Sequence, residues 1–122
     1  MNKITFLGCG SWGGALGMVL ANKGIDVTMW HRNPDVVQTL RESRIHYLVP
    51  TLVFPKSVSF TSSMKPAILD ASIVIIAVPS QSIRELLQSN KDLFTNNQTI
   101  VNVSKGIEID TLMTVSEVIV DV

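Results

Sequence analysis

Cysteine is nearly absent from this chain, with Cys9 the single thiol among 122 residues. One thiol forms no intrachain disulfide, which suits a reducing cytosol and excludes a small cystine-stapled scaffold. Charge is scarce as well. Charged residues make up 16% of the sequence, against about 25% in an average soluble domain. The 10 basic and 10 acidic residues cancel, so no electrostatic footprint for nucleic acid or an anionic membrane exists. Long apolar runs are missing too. The longest, Ile73 to Val78, falls far short of the ~18 residues that suggest a membrane span. The N-terminus superficially resembles a signal peptide, but glycines at 8, 10, 13, 14 and 17 interrupt it, and no clean cleavage site follows. His46 and Tyr47 show no metal-ligand spacing, so no metal is expected. These absences imply a soluble cytoplasmic domain with neither a nucleic-acid nor a membrane partner.

What is present is apolar. Hydrophobic residues reach 46%, and a chain of this length buries roughly two-thirds of the surface it exposes when unfolded. That is one domain's worth of core, residues 1–122. Short β-branched runs alternate with segments of helical period. Strands are expected at Lys3 to Leu7, Asp26 to Trp30, Val58 to Thr61, Ser72 to Val78 and Thr99 to Val103. After the first strand, Trp12, Ala15, Leu16, Val19 and Leu20 recur at helical spacing, predicting a buried stripe. Lys23 and Gly24 end that helix with a basic last turn and a left-handed cap. Asn33-Pro34 reads as an N-cap followed by proline at the first helical position, opening a helix to about Arg44. Ser62 or Ser63 caps a brief helix ending near Asp70, and Ser80 is the expected N-cap of a helix carrying Ile83, Leu86 and Leu87. A last helix starts near residue 110, with Leu112, Val115, Ile119 and Val122 on one stripe. Five strand–helix alternations predict a doubly wound parallel α/β sheet of Rossmann type. The final helix ends without a cap, as if the chain were truncated.

Gly8-Cys9-Gly10-Ser11-Trp12-Gly13 fits G-x-G-x-x-G between a strand and a helix, the context that gives the pattern meaning. Gly8 permits the tight turn, Gly10 lets the backbone approach a pyrophosphate, and Gly13 lets the helix lie close on the strand. The helix N-terminus then faces the phosphates. No Gly-Lys-Ser/Thr follows, which disfavours a phosphate-loop NTPase. An NAD-preferring site places a carboxylate about 20 residues on, at the ribose hydroxyls. Here the tip of the second strand reads Trp30-His31-Arg32 instead. A guanidinium binds a 2′-phosphate through paired charge-assisted hydrogen bonds, so NADP(H) is favoured and NAD(H) remains open. Asp26 lies at the wrong end of its strand, and Asp35, at the start of the next helix, is the residue that challenges this reading.

Further motifs are Ala77-Val78-Pro79-Ser80-Gln81 and Asn102-Val103-Ser104-Lys105-Gly106-Ile107-Glu108. With the glycine loop and Trp30-x-Arg32, they closely resemble the N-terminal domain of bacterial NAD(P)-dependent sn-glycerol-3-phosphate dehydrogenase, over the whole chain. The resemblance implies an enzyme interconverting dihydroxyacetone phosphate and glycerol 3-phosphate for phospholipid synthesis, a small-molecule phosphate substrate. It further implies that Ser11 and Trp12 contact the cofactor phosphates and nearby ribose, and that His31 and Arg32 hold the adenosine end. Pro79 and the backbone after it would line the nicotinamide pocket, and Lys105 would lie near nicotinamide and substrate. Independently, Lys105 follows a buried strand and so stands at the carboxyl edge of the sheet, where such folds bind ligands. Cys9 stands where the family usually has alanine, and Tyr47-Leu48-Val49-Pro50 replaces its Tyr-Leu-Pro-Gly. The family's general-base lysine belongs to a second, helical substrate domain, expected beyond Val122, so no catalytic residue is assigned here. Two alternatives stand beside this reading: another reductase, such as a ketopantoate or pyrroline-carboxylate reductase, and a non-enzymatic dinucleotide-sensing domain. With an unfinished apolar stripe and an unpaired fifth strand, the chain is also expected to self-associate.

Overall fold

The computed structural model describes residues 3–104 and 113–122. Strands β1 (Lys3–Leu7), β2 (Asp26–Trp30), β3 (Ser59–Thr61), β4 (Ile73–Ile76) and β5 (Thr99–Asn102) form one sheet, ordered β3-β2-β1-β4-β5. Every pairing is parallel. Between them run α1 (Ser11–Asn22), α2 (Pro34–Ser43), α3 (Met64–Leu69) and α4 (Ile83–Asn90), and α5 (Val115–Asp121) follows β5. The doubly wound sheet expected from the alternation is therefore the one that forms. Its order reverses between β1 and β4, the switch point where such sheets open a ligand crevice.

Side-chain alternation along the strands divides the core into two layers. Phe6 and Ile4 of β1, Val27 and Met29 of β2, and Ile75 of β4 face one layer, with Val37 and Leu40 of α2. Leu7, Trp30, Val74 and Ile76 face the other, covered by Ala67 and Ile68, by Ile83 and Leu87, and by Val118. Thr5 is fully buried between strands, and its hydroxyl donates to the Ala67 carbonyl at 2.6 Å. Burial on both faces explains why β4 reads as an unbroken apolar run.

Three local expectations need correction. On α1 the buried residues are Gly13, Gly14, Gly17 and Ala21, while Trp12 is 60% exposed and Val19 49% exposed. Leu16 and Leu20 of the expected stripe do pack half-buried against the core. The helix centre, however, lies too close to the sheet for a side chain: a Cβ on Gly17 would sit 3.0 Å from Met29 Cε and Sδ. Ser80 caps no helix. Ser80–Ser82 is a short 3₁₀ turn after Pro79 without a side-chain cap, and α4 begins at Ile83. On α5 the buried residue is Val118, with Ile119 and Val122 packed partly against it. Leu112 of the expected stripe and the side chain of Val115 lie outside the described residues. Other signals hold. The Asn33 side chain accepts from the Asp35 amide at 2.9 Å with proline at the head of α2, and Gly24 takes φ 84° after α1.

Candidate functional site

The glycine loop joins the end of β1 to α1 at the switch point. Gly8 has φ 118°, and a Cβ there would come within 2.5 Å of the Ala77 carbonyl oxygen. Its amide donates to Trp30 at 3.0 Å, tying the turn to the end of β2. A Cβ on Gly13 would meet the Gly8 carbonyl oxygen at 2.9 Å. Both glycines are therefore demanded by the protein itself. Gly10 is different. It caps α1 with φ −71°, a conformation open to any residue, and a Cβ added there meets nothing within 4 Å. No acidic residue occupies the first turn of α1 and no side chain caps it. Its amides and positive dipole end are left for an anion.

Two clefts meet at Gly10. The larger, about 640 Å³, runs past Gly8, Cys9 and Gly10 to Trp30, His31 and Arg32, with Tyr47 and Leu48 on one wall and Ser82, Glu85, Leu86, Ser89 and Asn90 of the α4 segment on the other. The smaller, about 450 Å³, is lined by Gly10, Ser11, Trp12, Gly13, Val103 and Ser104. Ala77, Val78 and Pro79 border both. The sequence-predicted residues thus fall on two sides of one loop: Gly8, His31 and Arg32 on one, Ser11, Trp12 and Gly13 on the other, Gly10 and Pro79 shared. Lys105 lies outside the described residues. Just before it, Ser104 fastens the end of β5 to the end of β4, its hydroxyl donating to the Val78 carbonyl at 2.7 Å.

At the tip of β2, Arg32 is exposed and makes no hydrogen bond or ion pair with a described residue. His31 is already engaged. Its Nδ1 accepts from the Asn33 amide at 3.0 Å, and its Nε2 lies 3.3 Å from the Tyr47 hydroxyl. Burial, then the neighbouring Arg32 charge, hold the His31 pKa below its ordinary value. Arg32 is therefore the cation of this end near neutral pH. Asp35, which challenged the phosphate reading, does not line the cleft. Cys9 is a core residue, 1% exposed, with Sγ 3.8 Å from Met29 Sδ. Burial pushes its thiol pKa to about 12, so it is no nucleophile.

In the segment between α2 and β3, Tyr47-Leu48-Val49-Pro50 stood out in the sequence only as a departure from the family's pattern. His46 is 1% exposed and reaches the glycine loop, its Nε2 lying 3.0 Å from the carbonyl oxygens of Cys9 and Gly10. Tyr47 stacks on it at 4.8 Å and lies edge-on to His31 at 5.4 Å. Arg44 closes the segment from behind by donating to the carbonyls of Pro55 and, at 2.6 Å, Val58, with its guanidinium 5.0 Å from the Phe60 ring centroid. The legible hint was Gly14, which with Gly17 reads as a small packing position on the helix.

Comparison with known proteins finds relatives over nearly the whole chain. Residues 3–122 match the family described as NAD-dependent glycerol-3-phosphate dehydrogenase N-terminus. The NAD(P)+ glycerol-3-phosphate dehydrogenase of Bacillus pumilus is 43% identical over 120 residues, covering 98% of this chain and 35% of that protein. That of Chlorobium phaeobacteroides is 43% identical over 122 residues, 98% of this chain and 36% of the relative. The crystal structure of glycerol-3-phosphate dehydrogenase from Coxiella burnetii superposes with TM-score 0.91 at 28% identity, over 98% of this chain and 37% of its own. The chain thus spans roughly a third of the length of these relatives. Among the described residues, no helix is long and apolar enough to cross a membrane.

Proposed function

This chain belongs to the NAD-dependent glycerol-3-phosphate dehydrogenase N-terminus family, and from that premise we propose that residues 1–122 hold the dinucleotide for a cytoplasmic enzyme that interconverts dihydroxyacetone phosphate and sn-glycerol 3-phosphate. The observation that carries the reading is the open space at Gly10, in ordinary backbone geometry, where two clefts meet at an uncapped helix N-terminus. A pyrophosphate fits that space, and the free amides of α1 supply the donors it needs. Adenosine then belongs to the cleft with His31 and Arg32. The nicotinamide belongs to the cleft with Ser11, Trp12 and Pro79, beside the strand end that leads to Lys105. When bound, the nicotinamide supplies the hydride. The chain's own residues bind and orient it, Lys105 assists the substrate phosphate or carbonyl, and the proton donor comes from beyond Val122.

At the adenosine end we assign Arg32 to the 2′-phosphate, making NADPH the preferred cofactor. Its guanidinium makes no ion pair with a described residue, and Asp35 stays out of the cleft. The cleft's one carboxylate among the described lining residues, Glu85, stands on the opposite α4 wall. The test is a titration of the purified chain with NADPH and NADH, repeated on Arg32→Ala. A charge-assisted contact is worth about 1.5–3 kcal/mol, so the variant should lose roughly 10- to 150-fold in NADPH affinity and little in NADH affinity. Because His31 is neutral near pH 8, His31→Asn should cost NADPH far less. Equal affinities for both cofactors in the unaltered chain would defeat the preference.

A further inference from the structure

His46 is the most connected buried polar side chain among the described residues, and its hydrogen bonds assign its tautomer. The backbone amides of Leu48 and Val49 donate to Nδ1 at 3.0 and 3.1 Å. Nδ1 therefore carries a lone pair, and the proton sits on Nε2. Nε2–H is then shared between two consecutive carbonyl oxygens, those of Cys9 and Gly10, each at 3.0 Å. Those two peptide units bracket Gly10, the glycine of this loop whose Cβ position is open.

A trans peptide is planar, with its C=O and the following N–H pointing in opposite directions. Drawing the Cys9 and Gly10 carbonyls toward a buried imidazole turns the amides of Gly10 and Ser11 away from it. Neither amide donates to another described residue. The room for the ring comes from α1: a Cβ on Gly14 would lie 2.5 Å from His46 Cδ2 and 2.7 Å from Nε2. On its far side the ring fixes Leu48 and stacks with Tyr47, both of which line the larger cleft. One side chain thus joins the loop to the wall of the neighbouring cleft, and one glycine admits it.

We propose that His46 is a positioning residue for the dinucleotide: it holds the Cys9–Gly10 and Gly10–Ser11 peptides so that their amides face the pyrophosphate, and Gly14 exists to make room for it. The inference rests on the reading that this loop holds the pyrophosphate. Since the pyrophosphate is common to both cofactors, His46 governs NADH and NADPH alike, unlike Arg32.

The test uses two substitutions that divide the ring's two jobs. His46→Asn keeps an acceptor near the Nδ1 position for the Leu48 and Val49 amides, as in an Asx turn, but is too short to reach the loop. His46→Gln extends an amide donor toward the loop carbonyls. Cofactor dissociation constants should rise roughly 10- to 100-fold in His46→Asn for NADH and NADPH equally, and recover in part in His46→Gln. Gly14→Ala should show a similar loss alone yet add little to His46→Asn, because both remove the same strut. Folding is checked by circular dichroism, and Gly14→Ala together with the ¹⁵N shifts of the native imidazole serves if His46→Asn does not fold. A folded His46→Asn that binds within threefold of the unaltered chain would overturn the proposal, as would an Nδ1–H tautomer or independent, multiplying effects of the two substitutions. If Gly10→Val abolishes binding while His46→Asn does not, only this inference fails. If the unaltered chain binds neither cofactor, the reading of the loop fails and takes it along.

Discussion

Replacing Gly10 by valine separates ligand from fold more cleanly than any other change at this site. Gly10 has φ −71° and an added Cβ meets nothing within 4 Å, so the protein has no steric objection. Valine is a poorer N-cap than glycine by about 1 kcal/mol, and restricting the unfolded chain returns about 0.4–1 kcal/mol. Those terms nearly cancel, and the melting temperature should move by no more than about 4 °C. For the cofactor the balance is one-sided. An isopropyl group fills the space over the first turn of α1, and two charge-assisted contacts to the pyrophosphate, worth about 1.5–3 kcal/mol each, are lost. Affinity for NADH and NADPH should fall by roughly two to four powers of ten. Gly8→Ala is the complementary control. Its φ of 118° and the 2.5 Å approach to the Ala77 carbonyl combine backbone strain of about 1–3 kcal/mol with overpacking of similar size. That variant should melt far lower or fail to fold. Calorimetric titration and thermal melting of both variants check the pair. Gly10→Val binding within threefold of the unaltered chain would show that the loop does not cradle the phosphates.

Burial and strand order carry two further outcomes. Cys9, buried and with its pKa raised to about 12, carries a thiolate in roughly one molecule in ten thousand at pH 8. Alkylation at pH 8 should therefore proceed only as fast as the domain unfolds; rapid labelling of native protein would contradict that burial. β5 is an edge strand with Ile100 38% and Val101 39% exposed. The chain should self-associate through that edge, since zero net charge supplies no repulsion. Sedimentation across a concentration series checks this, and a monodisperse monomer at every concentration refutes it.

Periodicity made the sheet legible, because a strand buried on both faces is written as a continuous apolar run and glycine, asparagine and proline punctuate the rest. The family was legible for another reason. The stretch from Asn102 to Glu108 is far less common than a glycine loop, and it separated this chain from other reductases. Gly13, Gly14 and Gly17 read as positions of close packing, yet the apolar stripe beside them hid how α1 divides its faces. Apolar periodicity ranks Trp12 and Val19 above Gly13, Gly14 and Gly17, but close packing ranks them the other way. A helix that approaches a sheet this nearly must present the residues with no side chain to bury. Trp12 and Val19 of its bulky stripe are therefore left exposed, while Leu16 and Leu20 pack against the core in part. The clefts were half legible: Arg32 and Gly10 follow from fixed offsets after β1, whereas Glu85 and Ser89 arrive from a helix whose docking no local pattern encodes.

His46 shows where such reading stops and why. Nothing within several residues of it has metal-ligand or catalytic spacing, and as a histidine in a turn-rich stretch it invites no assignment. Its importance is created by residues far away in sequence, Cys9 and Gly10 at separations of 37 and 36. The connection becomes visible only when the open position at Gly14 is asked what fills it. The glycines of this loop accordingly answer to different neighbours. Gly8 admits the backbone of Ala77 just past β4, and Gly13 admits the Gly8 carbonyl just past β1. Gly14 admits an imidazole, and Gly10 alone of the loop admits nothing the described chain supplies. A vacancy in a loop otherwise packed to contact is the physical mark of a ligand. It also predicts the order of effects: Gly8 and Gly13 variants lose the fold first, Gly14 variants lose the loop's geometry, and Gly10 variants lose only the dinucleotide.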